Sequence, residues 1–316
     1  MERKFTGENA SQGISLRMKN PSGITNKIKR AQVMAKFRKQ KKQMKKEASE
    51  KRKREAEQLG DDAPPKQVPR TLESTREADD TTITGEDIEV SNDLLDDEFS
   101  EIYSNECPPK LMITTRPLPS GDLYGFIKEL MDMIPNSFYY KRGDYDLKDI
   151  CKYASNKKFS HLIVLSEKSK ICNGAVISKL PDGPTAYFKI SNVVRSVGIA
   201  NHGTKTSHNP EIILNNFTTR LGHRLGRFLG SLFPHEPNFV GRQAVTFHNQ
   251  RDYIFVRQHR YIFNEDGSKA RLQELGPRFT MRLRWLQQGS FDTKFGEYEW
   301  IHKRKQMDTT RRRFHL

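Results

Sequence analysis

Large aromatic side chains, which a hydrophobic core needs, are concentrated in one part of this 316-residue chain. Residues 107–316 hold 26 of the 30 Phe, Trp and Tyr residues, and the first 106 residues hold four. A segment with so few large apolar side chains cannot offset its loss of chain entropy. We therefore expect one folded region at residues 107–305, preceded by a long arm and followed by a short basic tail at residues 306–316.

The distribution of charge divides the N-terminal arm into two segments. Residues 1–58 carry 18 basic and 6 acidic side chains, whereas residues 59–106 carry 3 basic and 15 acidic ones. We expect a basic, partly helical or disordered arm at residues 1–60 and an acidic linker or docking segment at residues 61–106. The two segments cancel in charge, so the formal net charge of +16 belongs to the folded region.

The basic arm has the charge density of a segment that binds nucleic acid. Residues 27–54 contain 14 Lys or Arg and neither Pro nor Gly, which favours a helix lying along a phosphate backbone and releasing counterions. A cluster of four basic residues near its end also resembles a nuclear-import signal. A solvated charge run that serves only solubility is the alternative. The candidate arm residues are Lys41, Lys42, Lys45, Lys46, Lys51, Arg52, Lys53 and Arg54.

The acidic segment is not purely polar. Ile88, Leu94, Phe99 and Tyr103 are among the apolar side chains that interrupt its Asp and Glu residues. Such a segment can dock on a partner protein or fold back over a basic surface, and a flexible linker is equally compatible with its composition.

The first half of the folded region has the pattern of a parallel α/β unit. The spacing of apolar residues predicts strands at 110–115, 138–140 and 161–165, and helices at 123–134 and 146–154. This strand and helix order implies a parallel sheet with right-handed crossovers. Residues 174–179 and 185–190 then read as an antiparallel hairpin across Pro181, Asp182 and Gly183.

The second half is predicted to begin with a long helix. Asn209 is a candidate N-cap before Pro210, apolar residues continue at helical spacing to Leu232, and Pro234 ends the run. Strands are expected at 245–248, 253–257, 260–263 and 270–275, with a hairpin turn at Asp266 and Gly267.

Two arginine-rich elements in this half are candidates for phosphate contact. The long helix presents arginines on one flank of its apolar line. The segment from Arg278 to Leu286 alternates Phe279, Met281, Leu283 and Trp285, expected in the core, with polar residues on the opposite face. Arginine suits bidentate phosphate contact and stacking on bases. The predicted RNA-binding residues are Arg220, Arg224, Arg227, Arg278, Arg282, Arg284, Arg311, Arg312 and Arg313.

Several other functions are disfavoured by the residues. No apolar run is long enough to span a bilayer, no secretory signal is present, and three separated cysteines argue against a disulfide scaffold. A near match to a P-loop between Gly198 and Thr206 has its lysine one residue late. Asp144 and Asp146 read better as helix-capping residues than as metal ligands. We expect no catalytic constellation, no metal and no cofactor.

Four stretches together resemble the Brix-domain family of eukaryotic ribosome-assembly factors, across about residues 108–305. They are PPKLMITTRPLPSGDLYGFIKELMDMIPNSFYYKRG, TSHNPEIILNNFTTRLGHRLGRFLGSLFP, GRQAVTFHNQRDYIFVRQHRYIF and LQELGPRFTMRLRWLQQGSFDT. The resemblance implies a Brix fold of two similar α/β halves, akin to the anticodon-binding domain of some aminoacyl-tRNA synthetases. The family's sigma-like motif maps onto Gly276 to Leu286.

The resemblance also implies a function. It indicates a non-catalytic nucleolar factor that binds ribosomal RNA of the large (60S) subunit precursor, with a dedicated assembly-factor protein and other pre-ribosomal proteins as partners and with no membrane partner. Two alternatives remain from the residues. One is a scaffold that meets RNA only through its partner, and the other is an RNA-processing enzyme.

Overall fold

A computed structural model describes residues 24–59, 69–71, 73–83, 92, 97–291, 296–303 and 312–316. The chain forms two compact units, Met1–Arg70 and Thr71–Leu316. The described part of the first unit is mainly the helix α1 (Lys27–Leu59), which covers the predicted basic stretch. Its ion pairs, such as Lys46 to Glu50 at 3.7 Å, join exposed side chains one turn apart, and each is worth only a few tenths of a kcal/mol.

The second unit is built on one large mixed sheet. Its strands are β1 (Leu111–Thr115), β2 (Ser137–Tyr139), β3 (His161–Lys168), β4 (Ile171–Lys179), β5 (Thr185–Val194), β6 (Glu211–Asn215), β7 (Gln243–Gln250), β8 (Tyr253–Phe263), β9 (Ala270–Glu274), β10 (Arg278–Gln287) and β11 (Tyr298–Ile301). Its helices are α2 (Ser100–Tyr103), α3 (Gly121–Met133), α4 (Leu147–Asn156) and α5 (Arg220–Gly230), with a 3₁₀ turn at Ser196–Gly198.

The order of the strands reveals two similar halves. The sheet runs β2-β1-β3-β4-β5-β10-β8-β7-β6, with β11 beside β10 and β9 beside β8. In the first half β1 is parallel to β3, and β4 and β5 follow antiparallel. In the second half β6 is parallel to β7, and β8 and β10 follow antiparallel. The halves meet where β5 pairs antiparallel with β10, so the predicted α/β fold of two similar halves is confirmed.

Helices cover the two faces of the sheet unequally. Helices α3 and α5 pack on one face, where Phe126, Leu130, Phe228 and Leu229 join the main core. Helix α4 packs on the opposite face over β1 and β3, where Ala154 belongs to a second, smaller cluster. Along the strands β5, β10 and β8, buried residues of the main core alternate with residues that point to this second face, most of which are half-buried or exposed. We call this part of the sheet the open face.

The predicted architecture of the first half is confirmed. Strands β1, β2 and β3 are parallel, and β4 and β5 form the expected antiparallel hairpin. The five residues from His161 to Leu165 are all buried, because β3 lies inside the sheet with cores on both faces.

The predicted long helix in the second half is wrong over its first part. Glu211–Asn215 is a strand, and the helix begins only at Arg220. The strand forms because its backbone pairs in parallel with β7, a long-range contact that local spacing cannot reveal. Thr219 is the N-cap of the helix, and its hydroxyl accepts a hydrogen bond from the Gly222 amide at 2.9 Å.

Strand β8 also differs from expectation. The two short strands predicted at 253–257 and 260–263 form one continuous strand of 11 residues. None of the helices in the described part of the chain is long and apolar enough to cross a membrane.

Candidate nucleic-acid interface

The arginine-rich strand β10 alternates between the core and the open face. Phe279, Met281 and Leu283 are buried in the main core, as predicted. The alternation breaks after Leu283, because the register with β5 shifts between Leu283 and Trp285. A bulge adds a residue on one strand, so Leu286 takes the core position instead and Trp285 joins the open face. The prediction of Trp285 as a core residue is therefore wrong.

Aromatic side chains from three strands meet on the open face. Trp285 packs against Tyr187 of β5, with ring centroids 5.8 Å apart and planes inclined by 33°. Tyr253 of β8 is 41% exposed, and Phe255 lies two residues further along the same face. Rings held on an exposed antiparallel sheet are the groups on which sheet-based RNA-binding proteins stack unpaired bases.

Cationic side chains lie among these rings. Arg282 is the cross-strand neighbour of Lys189, and its guanidinium lies 5.0 Å from the centre of the Tyr253 ring. It also donates a hydrogen bond of 3.2 Å to the Tyr253 hydroxyl. Arg257 of β8 is exposed on the same face. Like charges on adjacent strands repel each other, which makes this face a favourable place for an anion.

Burial and the positive charge of this face both lower the pKa of a nearby histidine, His302. The amide of His302 donates to the Arg284 carbonyl at 2.8 Å. Burial lowers the pKa of His302, and the charges of Arg282 and Arg284 lower it further. His302 therefore stays neutral at physiological pH and adds no charge to the repulsion already present.

Arg278, at the start of β10, is partly neutralised. Its Nη1 lies 3.3 Å from a carboxylate oxygen of Glu274. Of the three predicted arginines along β10, Arg278 thus has an acidic partner, Arg282 lies over the Tyr253 ring, and Arg284 is half-buried at the bulge.

A glycine allows Tyr187 to lie flat on the sheet. A Cβ atom at Gly174 would stand 2.9 Å from Cε2 of Tyr187 and 2.7 Å from the Ser166 hydroxyl oxygen. Any other residue would push the ring away from the sheet surface and disturb its contact with Trp285. Gly174 therefore helps to form the aromatic part of the open face.

The arginines of helix α5 are in a different environment. Two described stretches of the acidic segment, residues 73–83 and 97–106, pack against this helix and the residues just before it, and we call them the acidic strap. Arg227 donates from Nη2 to Asp97 at 2.7 Å, and Arg224 lies 2.6 Å from Glu98 and 3.0 Å from Glu299. Burial alone would raise the pKa of Glu98, but its hydrogen bonds with Arg224 lower it.

Apolar contacts hold the strap in place as well. Phe99 is fully buried with its ring edge-to-face against Phe228 at 5.9 Å, and Ile102 is 4% exposed. Tyr103 donates to the Arg227 carbonyl at 3.0 Å and fits over Gly230, where a Cβ atom would stand closer than contact distance. Of the roles left open for the acidic segment, its described part thus folds back over a basic surface of the same chain.

The end of the chain is also held beside this helix, because the hydroxyl of Thr219, its N-cap, donates to the His315 carbonyl at 2.7 Å. Leu316 is 1% exposed, and the Asp252 carboxylate accepts hydrogen bonds from the amides of His315 and Leu316 at 2.8 and 3.0 Å. Arg312 and Arg313 form ion pairs with Glu77 of the strap at 3.2 and 3.7 Å. Arg220 is an exposed residue whose backbone amide donates to the Thr81 carbonyl at 2.9 Å. Arg311 lies outside the described residues.

The eight candidate residues of the basic arm share one environment. All of them lie on α1 and are exposed, so their charges face solvent along the helix; they are Lys41, Lys42, Lys45, Lys46, Lys51, Arg52, Lys53 and Arg54.

The loop that resembles a P-loop has a structural role. The Lys205 ammonium donates to the Glu129 carbonyl at 3.0 Å, and the loop leads into strand β6, whereas a phosphate-binding loop opens a helix. Asp146 occupies the predicted N-cap position of α4, but its side chain makes no capping hydrogen bond. Among the residues that the structure describes, no group of three His, Cys, Asp or Glu side chains is placed to hold a metal ion.

Sequence reasoning missed half of the open face. It found Arg282 and Arg284 from the strict alternation of β10, but it did not single out Tyr187, Lys189 and Tyr253. The same period of two is present in the sequences of β5 and β8. The pairing of both strands with β10 was not visible, because it joins residues about 25 and 90 positions apart along the chain.

Comparisons with known proteins agree with this fold. The family model described as "Brix domain" matches residues 118–285. The chain is 50% identical to ribosome production factor 1 of Pongo abelii over 296 residues, covering 93% of this chain and 84% of that protein. It is 52% identical to ribosome production factor 1 of Xenopus laevis, covering 82% and 76%. A Brix domain-containing protein of Schizosaccharomyces pombe is 46% identical, covering 73% and 78%.

The strand β10 with its bulge, the basic residues around it and the two joined halves all lie within or next to the matched region. The chain belongs to the Brix-domain family.

Proposed function

We propose that this protein is a non-catalytic ribosome-biogenesis factor that binds ribosomal RNA of the large-subunit precursor in the nucleolus. The observation that carries this proposal is the open face, where Arg282 and Lys189 lie among Tyr187, Tyr253 and Trp285, with Arg284 next to Trp285 along β10. Guanidiniums can contact phosphates while the rings stack on unpaired bases. The relatives called ribosome production factor 1 support the same cellular role.

The remaining arginines take different parts in this proposal. Arg278, at the start of β10, extends the contact of the open face. Arg220 lies on α5, which packs on the other face of the sheet, and would contact a separate segment of the RNA. Arg224, Arg227, Arg312 and Arg313 would contact RNA only after they release the carboxylates of Asp97, Glu98, Glu299 and Glu77. The exposed lysines of α1 add a sequence-independent contact with the RNA backbone and carry the nuclear-import signal.

A protein partner has its own candidate surface. The hairpin of β8 and β9 exposes Ile262, Phe263 and Leu272 by 55%, 56% and 64%. Phe263 and Leu272 share one face of this hairpin, and exposed apolar side chains there suit the docking of a dedicated assembly-factor protein, with other pre-ribosomal proteins nearby. If RNA reached the chain only through such a partner, the purified protein alone would not bind RNA.

The test is RNA binding by the full chain at several salt concentrations. The perturbation is Arg282→Ala with Arg284→Ala, and the matched control is Arg260→Ala with Arg271→Ala, two exposed arginines of the β8–β9 hairpin. The open-face variant should bind a large-subunit rRNA fragment more weakly and should lower the slope of log affinity against log salt by about two. Identical salt curves for this variant and the wild type would rule out the open face as the RNA contact.

A further inference from the structure

Aromatic side chains also cluster at the edge of the sheet, apart from the open face. Phe138 and Tyr140 lie at the edge strand β2, and Tyr145 and Tyr153 lie at the start and on the outside of α4. These four side chains are 41% to 60% exposed. We call them the edge patch. Exposed rings that gather in one place, rather than singly, mark a binding surface.

A rigid base holds the edge patch. Phe159 is 4% exposed and belongs to the smaller core under α4. The rings of Phe138 and Tyr140 meet it edge-on at centroid distances of 6.2 and 5.8 Å. Tyr145 and Tyr153 contact each other at 6.0 Å with planes inclined by 84°. The rings are therefore oriented before any ligand arrives, which reduces the entropy lost on binding.

Cations lie over the rings of the same surface. The Lys110 ammonium is 4.4 Å from the centre of the Phe159 ring and 5.8 Å from that of Phe138. The Lys157 ammonium is 5.4 Å from the centre of the Tyr140 ring. Residues 137–158 carry six basic and three acidic side chains, so the surface is positive overall.

We propose that the edge patch is a second RNA site, which stacks unpaired bases on its rings while its lysines contact the phosphates. The proposal rests on the proposed function, because it assumes that the chain binds RNA. Ring faces pair with bases of any sequence, and ammonium groups beside them attract the backbone. A purely apolar partner would have to desolvate those lysines, and a double helix hides the faces of its bases. Unpaired RNA is thus the ligand that uses both the rings and the charges.

The site differs from the open face in its position on the sheet. Helix α4 covers β1 and β3 on the face that includes the open face, and the edge patch lies beyond it at β2. Lys148 and Lys152 are exposed on α4 between these two regions. One RNA strand that follows this side of the protein would meet rings at both ends and lysines along the way.

The experiment uses the full chain and a single-stranded RNA of 12 nucleotides containing 5-iodouridine, a base that photo-crosslinks to aromatic side chains on which it stacks. Adducts are mapped by mass spectrometry. We expect adducts on Tyr145 or Tyr153. The double variant Tyr145→Ala, Tyr153→Ala should lose them and bind the strand roughly tenfold more weakly. Tyr145→Phe with Tyr153→Phe keeps the rings and should bind like the wild type.

Controls separate this proposal from the function on which it rests. Phe239→Ala removes one ring of similar exposure elsewhere and should leave affinity unchanged. Adducts on Tyr187 or Trp285 without any on the edge patch would overturn the edge patch and leave the open face intact. Equal affinity of the Tyr145→Ala, Tyr153→Ala variant and the wild type would do the same. A chain that forms no adducts and binds no RNA would refute both.

Discussion

Phe99 offers a direct test of whether the acidic strap is part of the folded unit. The side chain lies in a segment rich in Asp and Glu, yet it is fully buried and packs edge-to-face on Phe228 of helix α5. Replacing Phe99 by Ala removes this ring and leaves a cavity between the strap and the helix. We expect the change to destabilise the whole unit, Thr71–Leu316, rather than the strap alone.

The size of the effect follows from the burial of the ring. Truncation of a fully buried Phe to Ala costs about 3–5 kcal/mol, of which about 0.5–1.5 kcal/mol comes from the aromatic pair. For a unit of 246 residues, each kcal/mol lowers the melting temperature by about 2–4 °C. The variant should therefore melt about 6–20 °C below the wild type.

Thermal unfolding followed by circular dichroism measures this difference. The matched control is Phe239→Ala, which deletes the same ring from a position that is 65% exposed and should change stability by less than about 0.5 kcal/mol. A Phe99→Ala protein that melts within 1 °C of the control would refute the reasoning, because the strap would then be detached from the cooperative unit in solution. A chain shortened to begin at residue 107 should be destabilised at least as strongly, since it also loses Ile102 and Tyr103.

Two further predictions concern pH and salt. His161 is fully buried between Ser160 and Ser231, and burial lowers its pKa to about 3. Between pH 6.5 and 3 the imidazole is therefore protonated in the unfolded chain but neutral in the folded protein. The free energy of unfolding of the wild type should fall as the pH drops from about 6.5 towards 3. His161→Gln should reduce the dependence of this free energy on pH by up to about 1.4 kcal/mol per pH unit, as measured by urea titrations at pH 7 and pH 5. The same pH dependence in both proteins would contradict the assignment. Deleting residues 1–59 should lower the salt dependence of RNA binding while crosslinks to the open face persist, and an unchanged salt slope would show that α1 does not contact RNA.

The local spacing of apolar and charged residues predicted most of the helices and strands. The strands β1, β3 and β10 were predicted from the spacing of their apolar residues, and helix α1 covers the predicted basic stretch. Prediction failed at Glu211–Asn215, where a run of apolar residues fits a helix or a buried strand equally well. This segment is a strand because it pairs with β7, which lies about 30 residues further along the chain.

The candidate RNA site shows the same division. The alternation along β10 placed Arg282 on a polar face, and it could do so because the side chains of a strand repeat every two residues. The bulge after Leu283 moved Trp285 to that face, and the pairing of β5 and β8 brought Lys189 and Tyr253 beside Arg282. No short stretch of the sequence contains these residues of β5, β8 and β10 together.

By itself the amino-acid sequence determined where this protein can fold, where its charge lies and which family it resembles, since these depend on composition and on local order. Tertiary structure alone decided which arginines are held by carboxylates and which lie on the open face of the sheet. Arg224 and Arg282 look alike in the sequence, but Arg224 is paired with Glu98 and Glu299 whereas Arg282 lies over Tyr253. The physical reason is that an ion pair forms between groups that are close in space, and Glu98 is 126 residues from Arg224 along the chain.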